Sequence, residues 1–396
     1  MKISARAQRL NASPIRKLVP YANQAKAQGK TVYHLNIGQP DIETPEGFLQ
    51  TMKNYDAKVI AYGDSKGDPE LIKAICKYYD QYGANYKPEQ VHITNGGSEA
   101  LILAVQAVCD PGDEVLLFEP FYANYSTFVT QASVRVKTIA THVENGYRLP
   151  SKSEIEQHIS ENTRAIIITN PGNPTGLVLN NEEIQMLKEI VLEYDLALIA
   201  DEVYREFCYD GKFKSFSSYR ELNNNLIMVD SVSKRYSACG ARIGCVICKM
   251  PEFNKQITKF CQARLCCPTM EMMAATALYD TPKEYFDGMK EEYRNRRDTV
   301  CRELAKIPGV TFSVPQGAFY IMVKLPVDDA EKFAIWMLQD FDVDGETTMF
   351  APGNGFYGNP VIGKQEARLA YVLECSKLEK AIRILGEGLK QYPGRL

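Results

Sequence analysis

Hydrophobic residues in the middle of the chain alternate between two periods, and this alternation predicts the fold class. Short apolar runs bounded by glycine, proline or polar residues are typical of buried strands. Between them, apolar residues recur every three or four positions, as on one face of a helix. This alternation predicts an α/β fold of three layers with a mostly parallel central sheet. The predicted strands are 91–94, 114–118, 165–169, 196–200 and 226–229, and the predicted helices between them include 99–108 and 182–194.

A second, smaller α+β unit is predicted near the end of the chain. Its predicted helices are 282–304, 330–341 and 377–392, and its strand-like pieces are 310–314 and 318–325. The charged run 293–298 is expected to be a solvated helix face. We expect residues 1–45 to join the small domain, 46–290 to form the large domain, and 291–396 to complete the small one.

Composition and charge exclude several classes of protein. The 396 residues are 45% hydrophobic, and 46 basic against 49 acidic side chains give a formal charge of −3, so neither disorder nor an electrostatic attraction to nucleic acid is indicated. The apolar runs are far shorter than the ~20 residues that a membrane helix needs, and residues 1–11 lack the apolar core of a signal peptide. Eleven irregularly spaced cysteines favour a reducing cytoplasm over a disulfide framework.

Polar clusters follow four of the predicted strands directly. In open α/β sheets, ligands bind outside the carboxyl ends of the strands, so these clusters are expected to share one crevice. Together they supply a glycine turn, an asparagine loop, a carboxylate, and two hydroxyls beside a lysine, which suits a phosphorylated pyridine aldehyde. The clusters are 95–98, 170–176, 201–202 and 231–234.

Two of these clusters could bind a phosphate. The turn at 96–98 opens a helix, whose free N–H groups and dipole favour an anion; an ordinary loop with a serine cap is the alternative. Lys234 is flanked by Ser231 and Ser233, with Arg242 downstream. An unprotonated lysine can attack a carbonyl while the hydroxyls and the guanidinium hold a phosphate, although a loop lysine can also be merely solvated.

Three further residues could bind the other parts of such a ligand. Asp201 ends a strand and could pair with a protonated ring nitrogen, while Tyr204 could offer its phenol to a ring oxygen; a helix cap is the alternative for Asp201. Arg368 lies in an apolar stretch and needs an anion if it is buried. Otherwise it is a strand residue facing water.

Taken together, these residues resemble the class I pyridoxal-phosphate-dependent aminotransferases of fold type I, and the aspartate aminotransferases among them. The resemblance runs from about residue 35 to residue 373, and the order of the motifs makes it specific. The motifs lie at 36–41, 62–67, 96–100, 119–122, 170–176, 201–204, 231–244, 317–320 and at Arg368.

The resemblance implies a role for each residue around the cofactor ring. Lys234 would bind the pyridoxal phosphate aldehyde covalently and later move the substrate's α-proton. Asp201 would hold the pyridinium nitrogen, Asn173 and Tyr204 would bind the phenolate oxygen, and Tyr122 would stack on the ring. A ping-pong transfer of an amino group between an amino acid and a 2-oxo acid would follow.

The resemblance also implies a phosphate site, a substrate clamp and a homodimer with shared active sites. Arg368 would clamp the substrate's α-carboxylate beside the backbone of Gly38, and Tyr62 would reach the phosphate from the other subunit. Within its own subunit, the phosphate would be held by Gly97, Ser98, Ser231, Ser233 and Arg242.

The preferred substrate is less sharply indicated. Arg264, expected to reach the neighbouring subunit's site, and Arg16 could each bind the distal carboxylate of aspartate or glutamate, with 2-oxoglutarate as acceptor; surface ion pairs are the alternative. Ser98 stands where some prokaryotic aspartate-specific members have lysine, and Tyr122 stands where many members have tryptophan. Alanine, branched and aromatic substrates therefore remain open.

Three other classes of function are alternatives to an aminotransferase. A lyase or racemase would use the same cofactor and the same lysine. The effector half of a transcriptional regulator would carry a basic DNA-binding extension, which the sequence lacks. A nicotinamide oxidoreductase rests only on the glycines of 353–358, after which no helix is predicted. The C-x-x-C at 245–248 lies in a strand-like run and is expected to be core rather than a metal site.

Overall fold

The computed structural model describes residues 1–8, 10 and 13–396. Its helices are α1 Ala5–Gln8, α2 Val19–Ala27, α3 Glu46–Lys53, α4 Pro69–Asp80, α5 Gly96–Val108, α6 Asn124–Gln131, α7 Lys152–Glu156, α8 Asn181–Glu193, α9 Pro251–Arg264, α10 Thr269–Leu278, α11 Lys283–Leu304, α12 Ala330–Gln339 and α13 Cys375–Gln391. Its strands are β1 Thr31–His34, β2 Val91–Thr94, β3 Glu114–Glu119, β4 Arg135–Ala140, β5 Thr163–Thr169, β6 Ala197–Asp201, β7 Leu226–Ser231, β8 Gly244–Cys248, β9 Thr311–Phe312, β10 Tyr320–Lys324, β11 Glu346–Met349, β12 Ala351–Pro352 and β13 Glu366–Ala370.

The largest sheet has seven strands in the order β2-β8-β7-β6-β5-β3-β4. Strands β3 to β7 pair in parallel, and β8 runs antiparallel to both of its neighbours. The central strands are apolar throughout because helices cover both faces. Leu198 and Ala200 pack into one core and Ile199 into another, on the opposite face. The predicted α/β fold with a mostly parallel sheet is confirmed.

The two cysteines of the C-x-x-C sequence lie in β8 and point to opposite faces of this sheet. Cys245 packs into the same core as Leu198, and Cys248 packs into the core that contains Ile199. Both are buried, so the strand geometry separates the two thiols as the spacing predicts.

The C-terminal part of the chain forms its own sheet and also pairs with the N-terminal part. Strands β12, β13, β10 and β9 form an antiparallel sheet. Strand β1 pairs in parallel with β11, from Thr31 opposite Glu346 to His34 opposite Met349. The boundaries at residues 45 and 290 stay a prediction.

The prediction that residues 293–298 form a solvated helix face is wrong for half of them, since only Asn295 and Asp298 are exposed and Arg294 is half-buried. Within α11, Tyr293, Arg296 and Arg297 are buried. Arg296 donates to Asp41 and to the carbonyl of Val372, each at 2.6 Å. A charge run cannot reveal that its guanidiniums find anions and carbonyls elsewhere in the chain, and such partners are what permit their burial.

The sheet brings the predicted polar clusters together at the carboxyl ends of its strands. Strands β5, β6 and β7 are neighbours, with Thr169 opposite Asp201 and Asp201 opposite Val229. Helix α5 begins at Gly96, separated from the end of β2 by one residue, and three residues before the predicted start at 99. No helix of the described residues combines the length and apolar character needed to cross a bilayer.

Candidate active site

A cavity of about 320 Å³ lies at the carboxyl ends of these strands and is lined by most of the predicted site residues. Its wall comes from the large sheet, from the segment after β1 and from the C-terminal sheet. The predicted residues that line it are Arg16, Gly38, Gly97, Ser98, Tyr122, Asn173, Asp201, Tyr204, Ser231, Ser233, Lys234, Arg242 and Arg368.

Lys234 extends into the cavity from the loop that follows β7. Its amine donates to the carbonyl oxygen of Gly38 at 3.1 Å and lies 3.9 Å from the sulfur of Cys239. The thiol of Cys239 in turn donates to the carbonyl of Ser233 at 3.1 Å. The amine is therefore held between the loop after β1 and the turn before β8, where a carbonyl compound in the cavity could reach it.

Asp201 ends β6 with its carboxylate buried in the cavity wall. Tyr125 donates to one carboxylate oxygen at 2.7 Å, and the backbone N–H of Val203 donates to the other at 3.3 Å. Burial raises the pKa of Asp201 to about 6, although these two hydrogen bonds oppose the rise. A cation in the cavity would therefore favour the ionised carboxylate.

The start of α5 and Arg242 form a cradle of hydrogen-bond donors. Gly96 has a φ of +76°, a backbone conformation that favours glycine, and a Cβ there would lie 2.4 Å from a guanidinium nitrogen of Arg242, so a larger residue would displace that guanidinium. Arg242 donates to the carbonyls of Cys239 and Asn95 at 3.0 and 3.4 Å. The hydroxyl-bearing residues Ser98, Ser231 and Ser233 also line the cavity, and hydroxyls, free N–H groups and a guanidinium are donors suited to a phosphate.

Arg368 lies in β13 with 1% of its surface exposed. It donates to the carbonyl of Asn36 at 2.6 Å and to the side chain of Asn173 at 3.2 Å, and its Nε has no partner among the described residues. Burial lowers its pKa from the ordinary value. Because its partners are neutral, an anion entering the cavity would gain a strong charge-assisted interaction.

A chain of hydrogen bonds joins this guanidinium to the middle of the cavity. The amide of Asn173 donates to the phenol oxygen of Tyr204 at 3.4 Å, and that phenol lies 3.1 Å from the phenol of Tyr320. The ring of Tyr320 also lies under the guanidinium of Arg368, at 4.5 Å. The groups predicted to hold substrate and cofactor are thus directly connected.

Two predicted residues lie outside the cavity wall of this chain. Tyr62 is 81% exposed on the surface. Arg264 ends α9, and its guanidinium donates to Glu99 at 3.1 Å and to the carbonyls of Ser65 and Ile93 at 2.9 and 3.3 Å. Arg264 would have to leave these partners in its own chain to bind a substrate.

Sequence reasoning missed several residues of the cavity wall. Tyr125 follows Tyr122 by three positions at the start of α6, and that spacing could have indicated a shared face. Tyr320 ends the quoted segment 317–320, which carried no assigned role. Asn124, Thr169 and Cys239 also line the cavity, and only the tertiary structure reveals them.

Comparison with known proteins places the chain in a family. Residues 30–343 match the family described as aminotransferase class I and II. This chain belongs to that family. It is a pyridoxal-phosphate-dependent aminotransferase, and the recognition from sequence is confirmed.

Individual relatives of this aminotransferase carry different substrate names. A "Probable aspartate/prephenate aminotransferase" from Aquifex aeolicus is 31% identical over 98% of this chain and 99% of its own. "Aromatic-amino-acid aminotransferase 2" from Thermococcus litoralis is 29% identical over 99% of each chain. The solved structure of an alanine aminotransferase from Pyrococcus furiosus has a TM-score of 0.90 and 30% identity, over 99% of this chain and 100% of its own.

The residues of the aminotransferase cavity fit pyridoxal phosphate. The cradle of α5 and Arg242 suits a phosphate dianion. The buried Asp201 carboxylate suits a cationic ring nitrogen, and the amine of Lys234 suits an aldehyde. Each of these groups lines one cavity, so the donor set matches all three ends of the cofactor.

Proposed function

We propose that this aminotransferase moves the α-amino group of a dicarboxylic amino acid, aspartate or glutamate, to a 2-oxo acid such as 2-oxoglutarate in two half-reactions. The observation that supports this proposal most strongly is that Lys234, Asp201 and Arg368 converge on one cavity. An amine, a buried carboxylate and a buried guanidinium are the groups that such a reaction requires.

The family's motifs and the cavity lining together support one set of cofactor ligands. Asp201 would hold the ring nitrogen, Asn173 and Tyr204 would hold the ring hydroxyl oxygen, and Tyr122 would cover the ring face. When bound, the cofactor would supply an aromatic ring that withdraws electrons from the substrate's α-carbon. The phosphate would be held by Gly97, Ser98, Ser231, Ser233 and Arg242, with Tyr62 supplied by a second subunit.

The chemical work of the chain is then divided between two residues. Arg368 binds the substrate's α-carboxylate beside Gly38 and fixes the orientation of the α-carbon. Lys234 takes the α-proton on its amine and returns it on the other side of the reacting carbon–nitrogen bond, as a general base and then a general acid. The buried Asn173 fixes Arg368 from the side through its amide oxygen, at 3.2 Å.

The absorption spectrum of the purified protein tests this assignment. Cofactor-loaded protein is expected to have a visible absorption band. Lys234→Ala is expected to abolish this band, and Arg297→Lys, which alters a buried arginine of α11, is expected to leave it in place. A colourless protein that gains no band when pyridoxal phosphate is added would contradict the proposal. Formation of a 2-oxo acid in equal amount to the amino acid produced separates amino transfer from the lyase reaction, which releases ammonia instead.

We infer that Arg16, rather than Arg264, binds the distal carboxylate of the substrate. Arg16 lines the cavity and is exposed there, whereas Arg264 is 3.1 Å from Glu99 and bonded to two backbone carbonyls. A free carboxylate can recruit an exposed guanidinium without breaking an existing ion pair.

Substrate kinetics of two matched variants test this inference. Arg16→Gln is expected to lower kcat/KM for aspartate and glutamate about 10- to 100-fold, the cost of one charge-assisted contact, and to leave alanine and phenylalanine within about twofold. Arg264→Gln serves as the matched control. Any loss of kcat/KM that it causes is expected to be equal for the four substrates. Equal losses on the four substrates in Arg16→Gln would reject the role.

A preference for alanine or for branched or aromatic amino acids is the second candidate. Ile15 and Ile37 also line the cavity, and an apolar side chain could contact them. Similarity to the aromatic-amino-acid aminotransferase of Thermococcus litoralis and to the alanine aminotransferase of Pyrococcus furiosus favours this candidate. The same four-substrate kinetics decide between the two candidates.

We propose a homodimer in the cytoplasm as the working form. Val59, Ile60 and Tyr62 are 74%, 66% and 81% exposed in the single chain, and such an apolar segment is favourable to cover. All eleven cysteines are free thiols in the part of the chain that the structure describes, which suits a reducing compartment.

A further inference from the structure

Four charged side chains form a buried cluster on the side of the site residues that faces away from the cavity. We call Glu202, Arg205, Asp230 and Arg235 the buried charge cluster. Each is at most 1% exposed, and the cluster contains two acids and two guanidiniums. No member of the cluster lines the cavity.

The contacts within the cluster are direct. Arg235 donates to Asp230 at 2.7 Å and to the carbonyl of Ser231 at 3.4 Å. Arg205 lies 3.6 Å from both Asp230 and Glu202. Tyr79 of α4 donates to Asp230 at 3.2 Å, and its ring lies 4.4 Å from the guanidinium of Arg205.

Every member of the cluster is the chain neighbour of a residue in the cavity wall. Glu202 follows Asp201, Arg205 follows Tyr204, Asp230 precedes Ser231, and Arg235 follows Lys234. In each pair, one side chain lines the cavity and the other belongs to the cluster. For Asp230 and Ser231 this follows from the alternation of side chains along β7.

The pair of Asp230 and Arg235 closes the loop that carries Lys234. Asp230 lies in β7, and Arg235 is the residue directly after Lys234. Their ion pair, together with the bond from Arg235 to the Ser231 carbonyl, joins the two ends of this loop. The guanidinium of Arg205 further links Asp230 to Glu202, the residue that follows β6.

We propose that Arg235 is a positioning residue for Lys234: its bond to Asp230 fixes the backbone from which the amine reaches the reacting carbon. Nη1 of Arg235 donates to Asp230, while Nη2 donates to the phenol oxygen of Tyr279 at 3.3 Å. Two nitrogens of a planar guanidinium thus define an orientation that a single ammonium cannot reproduce. Proton transfer requires the amine within hydrogen-bond reach of that carbon, and a small displacement is costly. Binding of the substrate carboxylate is left to Arg368, on a different sheet.

The test compares Arg235→Lys with Arg297→Lys in cofactor-loaded protein. Arg297 is a matched control because it is also buried and paired, with Asp210 at 3.1 Å, and it lies in α11. Arg235→Lys is expected to lower kcat about 10- to 100-fold with KM within about twofold, and to shift the pH midpoint of the visible band. Arg297→Lys is expected to change neither quantity. Thermal unfolding of both variants measures the purely structural cost.

Each outcome decides the proposal. Unchanged kcat and pH midpoint in folded Arg235→Lys would overturn it, as would an equal loss of kcat in Arg297→Lys at the same loss of thermal stability. If Arg235→Lys does not fold, the neutral pair Asp230→Asn with Arg235→Gln is read by the same criteria. The inference rests on the role proposed for Lys234: a visible band that survives Lys234→Ala defeats that role, whereas a band lost there and a normal Arg235→Lys defeats only the positioning inference.

Discussion

Asp201 shows how one residue can serve the site at a cost to the fold. It is 6% exposed and accepts hydrogen bonds from Tyr125 and Val203, yet burial raises its pKa to about 6. The folded chain therefore holds the proton more tightly than the unfolded chain, whose aspartate has a pKa of about 3.9. The destabilisation is absent below about pH 4, grows as the pH rises, and is complete above about pH 6.

The cofactor-free protein should therefore become more stable when Asp201 is replaced by asparagine. Near pH 8 we expect Asp201→Asn to raise the free energy of unfolding by at most about 3 kcal/mol, and near pH 4 the difference should shrink toward zero. Urea unfolding at the two pH values measures this. Adding pyridoxal phosphate should stabilise the wild type more than the variant, because only the carboxylate can pair with a ring cation.

A pH-independent difference between the two proteins would contradict this account. Glu183→Gln is a useful comparison, because that carboxylate already has a cationic partner, Arg148, at 2.6 Å. Replacing it should lower the free energy of unfolding at pH 8 rather than raise it.

At the scale of elements, the strands with continuous apolar character were predictable, including the edge strand β2, whereas the edge strand β4, with its mixed sequence, was not. The prediction for 91–94 matches β2, and those for 165–169 and 226–229 fall within β5 and β7. Strand β4 was missed, since its mixed sequence and partly exposed residues at the sheet edge lack a clear period. The strand-end rule and the resemblance gathered the site residues, but contacts such as Tyr125 with Asp201 depend on tertiary packing that no spacing encodes.

The loop between β5 and α8 offers an element-scale prediction. Gly176 has a φ of +72°, and a Cβ there would lie 2.5 Å from Pro315 and 2.8 Å from the carbonyl of Tyr320. Its own carbonyl accepts from Gln316 and Gly317, each at 2.9 Å. Gly176→Ala should therefore lower the free energy of unfolding by about 2–4 kcal/mol. It should also weaken cofactor binding, because the same loop carries Asn173.

Gly211→Ala is the matched control for this loop. Gly211 has a similar φ of +81°, but a Cβ there would meet nothing within 4 Å. Only the backbone cost of about 1 kcal/mol is expected, with no change in the dissociation constant of pyridoxal phosphate. Denaturant unfolding and cofactor titration distinguish the two variants, and equal effects would refute the role of packing at Gly176.

At the scale of the whole molecule, the proposed dimer predicts complementation between two defective chains. Lys234→Ala removes the amine from its own site, whereas Tyr62→Ala removes a group that we propose serves the partner's site. Mixed dimers should hold one intact site, so an equal mixture should regain activity in about a quarter of the sites after subunit exchange.

A second mixture controls for the arrangement. Lys234→Ala mixed with Asp201→Asn places both defects in the site of the chain that carries them, so no mixed dimer has an intact site. Activity that rises equally in the two mixtures, or in neither, would exclude a shared site with Tyr62 in the partner. Sedimentation of each mixture checks that dimers form.

The pairing of β1 with β11 has a consequence for how the enzyme is made in the cell. Strand β1 precedes the loop that places the carbonyl of Gly38 at 3.1 Å from the Lys234 amine, but its partner strand begins only at Glu346. During translation, β1 cannot pair with β11 until most of the nascent chain has emerged from the ribosome. Catalytic competence is thus reached late in synthesis, and a polypeptide released before residue 346 lacks the strand that pairs with β1.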